Sequence, residues 1–357
     1  MLPVKLFYKF LGPQFGGAFQ QNHKVLYSRS PYWDGKKFNN AEKTTMDVNI
    51  QSMPAMLREM NRGRQLRSPR RPLPVIPFAV ADFIGADERP RFIWFGHSVL
   101  LLRIGGKNLL IDPMFGPDAS PIAPFKTRRF SQNMLDIIEH LPTLDAILLT
   151  HDHYDHLDLE SIKRLKGKTG NWFVALGVGR HLEQWGIPTT AITEFDWWQQ
   201  LEFRGIEITA TPARHFGGRG PFDRAKSFWC GWVFKSQEHA VYWSGDGGYG
   251  EHFKEVGERL GPFDWAFMEC GQYNPRWHQI HMYPEEAVKA AHDARAKVAT
   301  PVHWGGFSLA VHPWKEPVER FTAEAERTGY NVYMPRIGEV VKVGFSSDNS
   351  FWWRELE

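Results

Sequence analysis

The sequence predicts a mixed α/β fold over residues 89–357, preceded by an irregular basic extension over residues 1–88. Three observations predict it. From Arg91 onward, short apolar runs of strand length alternate with segments of helical periodicity. Turn signals such as Gly105-Gly106 separate the runs. A dense segment, His151-Asp152-His153-Tyr154-Asp155-His156, follows directly on one apolar run, at the carboxyl end where open α/β sheets bind ligands.

Whole-chain properties narrow the classes. The 357 residues are 42% hydrophobic and 23% charged with no repeat period, which is a globular composition. A formal charge of +3 is too small to call for a nucleic-acid partner. Two cysteines, Cys230 and Cys270, cannot form a disulfide framework, which favours a reducing compartment. The N-terminal apolar pieces Leu6-Phe7-Tyr8 and Phe10-Leu11 are interrupted by lysine and are too short to span a bilayer. With neither signal peptide nor transmembrane helix expected, the chain is placed in the cytoplasm or at the periphery of a membrane.

In chain order, the extension carries one expected helix over Met53–Arg64. Arg58, Arg62, Arg64, Arg67, Arg70 and Arg71 cluster there beside Met53, Met56, Leu57 and Met60. Such an arm is either a solvated strap over the main domain or a surface for anionic phospholipid, where each cation contributes roughly 1 kcal/mol. The α/β region then opens with strand-like Arg91–Ile104, a Gly105-Gly106 turn and a returning strand Asn108–Asp112. Ala146–Leu149 reads as a buried strand and Leu159–Leu165 as a helix. Trp172–Leu176 (strand), Gly179–Trp185 (helix) and Leu201–Thr211 (strand) follow, then a paired β segment of Phe228–Phe234 with Ala240–Ser244. Asp264–Met268 and Val298–Val302 read as strands, and Pro284–Ala294 and Val318–Thr328 as helices, the first with Glu285 and Glu286 in its opening turn. The 15 tryptophans, Trp197-Trp198 and Trp352-Trp353 among them, are expected mostly in the core.

The histidine segment is the chemical signal. Imidazole and carboxylate donors suit zinc without any cysteine. A single catalytic zinc takes three protein ligands, so four donors in one turn (His151, His153, Asp155, His156) imply two ions and further ligands downstream. Three later strand ends each offer one: His215 in Thr211-Pro212-Ala213-Arg214-His215, Asp246 in Ser244-Gly245-Asp246-Gly247, and His303 in Thr300-Pro301-Val302-His303-Trp304-Gly305. An aspartate suits the bridging place, since its two oxygens can bind one cation each and its charge reduces their repulsion. His97 is assigned a structural role, and His23, His140, His181, His239, His252, His278, His292 and His312 carry no supporting pattern.

With these segments in place, the chain resembles the metallo-β-lactamase fold, over about residues 91–345. That resemblance implies an αββα sandwich of two mixed sheets flanked by helices. It implies a first zinc on His151, His153 and His215 and a second on Asp155, His156 and His303, bridged by Asp246 and a hydroxide; the sequence leaves open iron or manganese in place of zinc. Within the fold, the chain is similar to the N-acyl-phosphatidylethanolamine-hydrolysing phospholipase D family and its bacterial relatives. The matching pieces are Trp94-Phe95-Gly96-His97-Ser98, Leu110-Ile111-Asp112-Pro113, Gly261-Pro262-Phe263-Asp264, Tyr273-Asn274-Pro275-Arg276-Trp277, Pro284-Glu285-Glu286-Ala287 and His303-Trp304-Gly305.

The resemblance implies a zinc phosphodiesterase acting on N-acyl-phosphatidylethanolamine-like phospholipid. The candidate catalytic residues are then Asp155 and His281, the latter as proton donor or orienting group at the leaving alkoxide. Two departures from the family pattern stand beside the site: Gly247 where threonine is usual, and Ile280 where a polar residue is expected. A lactonase or a phosphodiesterase for small soluble substrates is the alternative, since the same metal site serves either. With all seven ligand positions intact, a non-catalytic scaffold is disfavoured.

Overall fold

The computed structural model describes residues 12–48, 51–120, 126–220, 222–344 and 349–356. The apolar pieces Leu6-Phe7-Tyr8 and Phe10-Leu11 lie outside the described residues. Two sheets pack face to face. The first holds β1 (Arg91–Trp94), β2 (Leu100–Ile104), β3 (Lys107–Ile111), β4 (Ala146–Leu149), β5 (Trp172–Ala175), β6 (Ile192–Phe195) and β13 (Val340–Lys342), in the order β13-β1-β2-β3-β4-β5-β6. The second holds β7 (Gln200–Phe203), β8 (Ile206–Thr211), β9 (Gly231–Lys235), β10 (Ala240–Trp243), β11 (Trp265–Glu269) and β12 (Ala299–Val302), in the order β12-β11-β10-β9-β8-β7.

Both sheets are mixed. Strands β3 to β6 run parallel to one another, while β13, β1, β2 and β3 pair antiparallel. In the second sheet β10, β11 and β12 are parallel, and β8 reaches β10 through two antiparallel steps across β9. Strands β8, β10, β11 and β12 therefore share one direction, and whatever follows their carboxyl ends meets at one edge. All four residues of β4 are buried, as a parallel strand covered on both faces requires.

The core between the sheets is aromatic. Phe92 on β1 meets Trp265 and Phe267 on β11 edge-on, with ring centroids 5.2 Å and 4.7 Å away. Phe195 on β6 meets Trp232 on β9 in the same way at 5.2 Å. Trp197, Trp352 and Trp353 are buried and none of the 15 tryptophans is exposed, as the sequence predicts.

Helices cover the outer faces. The helix Leu159–Leu165 starts where the Asp158 carboxylate accepts from the Ser161 N–H at 2.8 Å. Pro284–Asp293 has proline in its first turn together with Glu285 and Glu286, where acidic groups complement the helix dipole. The expected helix at Met53–Arg64 ends at Asn61.

Two expected strands are each broken in two. Arg91–Ile104 splits because Gly96 and His97 both take positive φ, which turns the chain and sends the His97 N–H to the Trp304 carbonyl at 2.8 Å. Leu201–Thr211 splits at Arg204-Gly205, again at positive φ, to form the β7–β8 hairpin. Gly105-Gly106, both at positive φ, make the expected turn between β2 and β3. Strands β6 and β13 and the helix His252–Leu260 were not foreseen in the sequence.

Residues 12–48 lie against the sandwich. The Gln14 carbonyl accepts from the Arg219 guanidinium, the Phe38 N–H donates to the Ala225 carbonyl, and Phe38 packs on Phe228. No helix among the described residues is long and apolar enough to cross a membrane.

Candidate metal centre

The four donor segments converge at the edge where β4, β8, β10 and β12 end. His151 Nε2 lies 3.0 Å and His215 Nε2 3.1 Å from His153 Nδ1. Beside this trio, His303 Nε2 is 3.1 Å from Asp155 Oδ2 and 3.0 Å from Asp246 Oδ2, and His156 Nε2 is 3.1 Å from Asp246 Oδ2. All seven metal ligands expected from the sequence are thus brought together in two adjacent donor groups. His281 joins their edge, its ring centroid 5.0 Å from that of His215.

The loop geometry explains how one carboxylate reaches both groups. Gly245 has φ +64°, and a Cβ on it would lie 2.4 Å from the Cys230 carbonyl oxygen, so only glycine turns the chain there and places Asp246 inward. Gly247 is less confined, with no positive φ, but a Cβ there would still lie 3.0 Å from the Arg214 amide nitrogen, a tight contact. The glycine at this departure position therefore fits the local crowding. Ile280 is buried, and its backbone carbonyl accepts from His215 Nδ1 at 3.0 Å, a bond independent of the side chain that departs from the family pattern.

The surrounding hydrogen bonds orient each ring. His156 Nδ1–H donates to Asp112 Oδ2 at 2.9 Å, His151 Nδ1–H to Thr150 Oγ1 at 2.9 Å, and Thr150 Oγ1–H to Asp112 Oδ2 at 2.7 Å. One buried carboxylate thus holds an imidazole of each group with Nε2 free for a cation. Glu269, at the end of β11 and fully buried, sets its Oε1 3.1 Å from His281 Nδ1 and 3.4 Å from His303 Nδ1.

Sequence reasoning missed several of these residues. Glu269 and Asp112 received no role, although Asp112 stands in a quoted segment at a strand end. His97, expected in a structural role, sets its Nε2 2.9 Å from Asp155 Oδ2, within reach of the second donor group. His181, without pattern in the sequence, accepts from the Gly17 N–H at Nδ1 (3.1 Å) and donates from Nε2 to Asp152 at 3.0 Å. Arg219 Nη1 donates to the carbonyls of Asp152 (2.8 Å) and Leu157 (2.6 Å), closing the histidine-rich turn. No local sequence signal marks His181 or Arg219.

Electrostatics divides the donors. Burial and neighbouring imidazoles hold His151 and His215 well below the ordinary imidazole value, and burial takes His153 down to about 4. These three rings are neutral and present lone pairs. At His156 burial works in the same downward direction but is overcome by Asp246, Asp155 and Asp112, which carry it up to about 10. Asp246 and Asp155 likewise raise His303 well above its usual range. The two carboxylates sit well below theirs because the imidazoles outweigh burial. An all-nitrogen group beside a mixed nitrogen and carboxylate group is a donor set able to hold metal ions.

Comparison with known proteins agrees with this geometry. Residues 107–304 match the beta-lactamase superfamily domain. An uncharacterized protein of Mycobacterium tuberculosis is 35% identical, covering 95% of this chain and 91% of that protein. A UPF0173 metal-dependent hydrolase of Pyrobaculum aerophilum is 30% identical, covering 70% of this chain and 98% of that protein. An N-acyl-phosphatidylethanolamine-hydrolyzing phospholipase D of Caenorhabditis elegans is 34% identical over 60% of this chain and 64% of its own length. Among solved structures, a metallo hydrolase of the archaeon Ignicoccus hospitalis has a TM-score of 0.56 at 23% identity, covering 72% of this chain and 99% of that one. The two mixed sheets, the converging histidines and aspartates and these relatives together establish that the chain belongs to the beta-lactamase superfamily, as a metal-dependent hydrolase of the metallo-β-lactamase fold related to N-acyl-phosphatidylethanolamine-hydrolysing phospholipases D.

Proposed function

We propose that the centre holds two zinc ions and hydrolyses a phosphodiester bond in N-acyl-phosphatidylethanolamine-like phospholipid. The observation that carries this reading is the position of Asp246 Oδ2. It lies 3.0 Å and 3.1 Å from the Nε2 atoms of His303 and His156, and 3.9 Å and 4.0 Å from those of His151 and His215. A carboxylate between two donor groups suits a pair of cations roughly 3.5–4 Å apart. His151, His153 and His215 would hold the first ion, and Asp155, His156 and His303 the second, with Asp246 shared. Nitrogen atoms about 2.0–2.1 Å from a tetrahedral zinc stand about 3.3 Å from each other. The 3.0 Å and 3.1 Å spacings of the histidine trio are close to that and support zinc, while iron and manganese accept the same donors.

When bound, such a metal pair supplies Lewis-acid polarisation of the phosphoryl oxygens and an acidified water. The remaining work falls to side chains. Asp112 and Glu269 fix ring orientations, and His97 holds the Asp155 carboxylate of the second donor group. His281 Nδ1–H donates to Glu269, which leaves Nε2 to move a proton at the leaving alkoxide. Its side chain is 13% exposed, where those of His151, His156, His215 and His303 are 1% exposed, so it stands on the solvent side of the centre.

Two surface features support a lipid substrate. A cleft of about 630 Å³ beside His215 combines apolar Phe38, Met46, Phe216 and Ile280 with basic Lys37, Lys43 and Arg224 against a single acidic Glu42, a net basic lining suited to an anionic amphiphile. The helix Met53–Asn61 exposes Met53, Leu57 and Met60 beside exposed Arg58, Arg62 and Arg64, and we assign it peripheral contact with anionic membrane. The relationship to the Caenorhabditis elegans phospholipase D favours the same class.

A substrate panel on zinc-loaded protein tests the reading, comparing N-acyl-phosphatidylethanolamine, an aryl phosphodiester and an acyl lactone. The phospholipid should turn over fastest, and His153→Ala should lose at least about 100-fold in rate, as removal of several kcal/mol of metal stabilisation demands. Preference for the lactone, or full activity in His153→Ala, would overturn it.

A further inference from the structure

Residues 12–48 lie outside the span that matches the superfamily domain, yet one of them grips the peptide of a proposed metal ligand. The Asn40 side-chain amide treats the backbone of His215 as a neighbouring strand would. Asn40 Nδ2 donates to the His215 carbonyl at 2.9 Å, and the His215 N–H donates to Asn40 Oδ1 at 3.1 Å. The Trp229 indole N–H donates to the same Oδ1 at 3.0 Å, so the amide can face only one way. His215 follows the carboxyl end of β8, beyond the hydrogen-bond ladder, and is 1% exposed. Its buried N–H and C=O groups find these partners in Asn40.

The ring end of His215 is separately held, by Nδ1–H donation to the Ile280 carbonyl. Peptide and ring are then both fixed, and Nε2 is aimed at His153 Nδ1. Without Asn40 the His215 peptide would be left buried and unpaired, and the Pro212–Phe216 loop would have to shift to recover partners. A shift of that kind moves Nε2.

We propose that Asn40 is a positioning residue, which makes the N-terminal strap part of the metal centre and sets the metal affinity of the His151, His153 and His215 group. This inference rests on the two-metal reading above. The neighbouring Asn39 supplies the contrast, because among the described residues its side chain bonds within the strap, to Asp34 and the Lys37 carbonyl.

The test uses the full chain, stripped of metal and titrated with cobalt(II) against a competing chelator, following both affinity and the visible absorption of the bound ion. The wild type should bind two equivalents. Asn40→Ala should lose about tenfold or more in affinity for one of them, at the low end of the range for outer partners of metal ligands, with an altered spectrum at that site. Asn40→Asp, of the same size, keeps the acceptor for the His215 N–H but sets a carboxylate against the His215 carbonyl. It should show the same selective loss, and it carries the comparison should the alanine variant not fold. Asn39→Ala should match the wild type. Wild-type affinity at both sites in the folded Asn40 variants would overturn the inference, as would an equal loss in Asn39→Ala. A wild type that binds no metal would overturn the two-metal reading itself, and the two failures are therefore distinguishable.

Discussion

Replacing Asp112 with asparagine removes one charge and no volume from the point where both donor groups are oriented. Asp112 Oδ1 accepts from the Thr150 N–H at 2.8 Å, while Oδ2 accepts from Thr150 Oγ1 and from His156 Nδ1. Burial raises this carboxyl above the usual carboxylate range, and the three donors aimed at its two oxygens oppose that shift. An asparagine amide cannot serve all three. With its oxygen toward His156, the amide nitrogen faces the Thr150 N–H, and a buried donor is left unpaired. With its nitrogen toward His156, the imidazole must accept at Nδ1 and carry its proton on Nε2, where no lone pair then remains for a cation. Either arrangement costs about 1–3 kcal/mol. At 1.4 kcal/mol per tenfold, zinc affinity should fall by about one to two powers of ten, in line with other buried partners of ligand imidazoles. Competition against a chromogenic zinc chelator measures it directly. An Asp112→Asn protein that folds and holds zinc as tightly as the wild type would refute the orientation argument.

Three further outcomes are expected. Metal binding at pH 8 should release about one to two protons per chain, because His156 (raised to about 10) and His303 (raised well above its usual value) are protonated without metal and must lose that proton to ligate. Affinity should therefore weaken as pH falls, and calorimetry showing no dependence on buffer ionisation enthalpy would count against the assignment. The double change Leu57→Glu with Met60→Glu, on the exposed helix Met53–Asn61, should abolish co-sedimentation with anionic vesicles at low salt and leave hydrolysis of a soluble aryl phosphodiester intact. Asp158→Ala, which removes the cap accepted from Ser161 N–H at 2.8 Å, should lower unfolding stability by about 1 kcal/mol in denaturant titration.

How much was legible in the sequence follows from how local each feature is. His151 to His156 occupy one turn after one strand, so donor chemistry and strand-end position appear together in six consecutive residues. His215, Asp246 and His303 were found by the same rule, donor residues following strand ends. Strand interiors were legible for a similar reason, since a run such as Ala146–Leu149 has few alternatives to burial. The breaks at Gly96-His97 and Arg204-Gly205 were not, because one glycine inside an apolar run does not by itself separate a turn from a bulge, and the positive φ of its neighbours His97 and Arg204 leaves no trace in their residue type.

The sequence alone determined the donor set, the strand ends that carry it and the α/β class, because each depends on residue type within a few positions. Only the tertiary structure decided that Asp112 and Glu269 orient the rings and that Asn40 holds His215 from 175 residues away. The physical reason is direction. Strands β8, β10, β11 and β12 run the same way, so their carboxyl ends gather at one edge, and a hydrogen-bond partner there is chosen by proximity in space, which residue order does not encode.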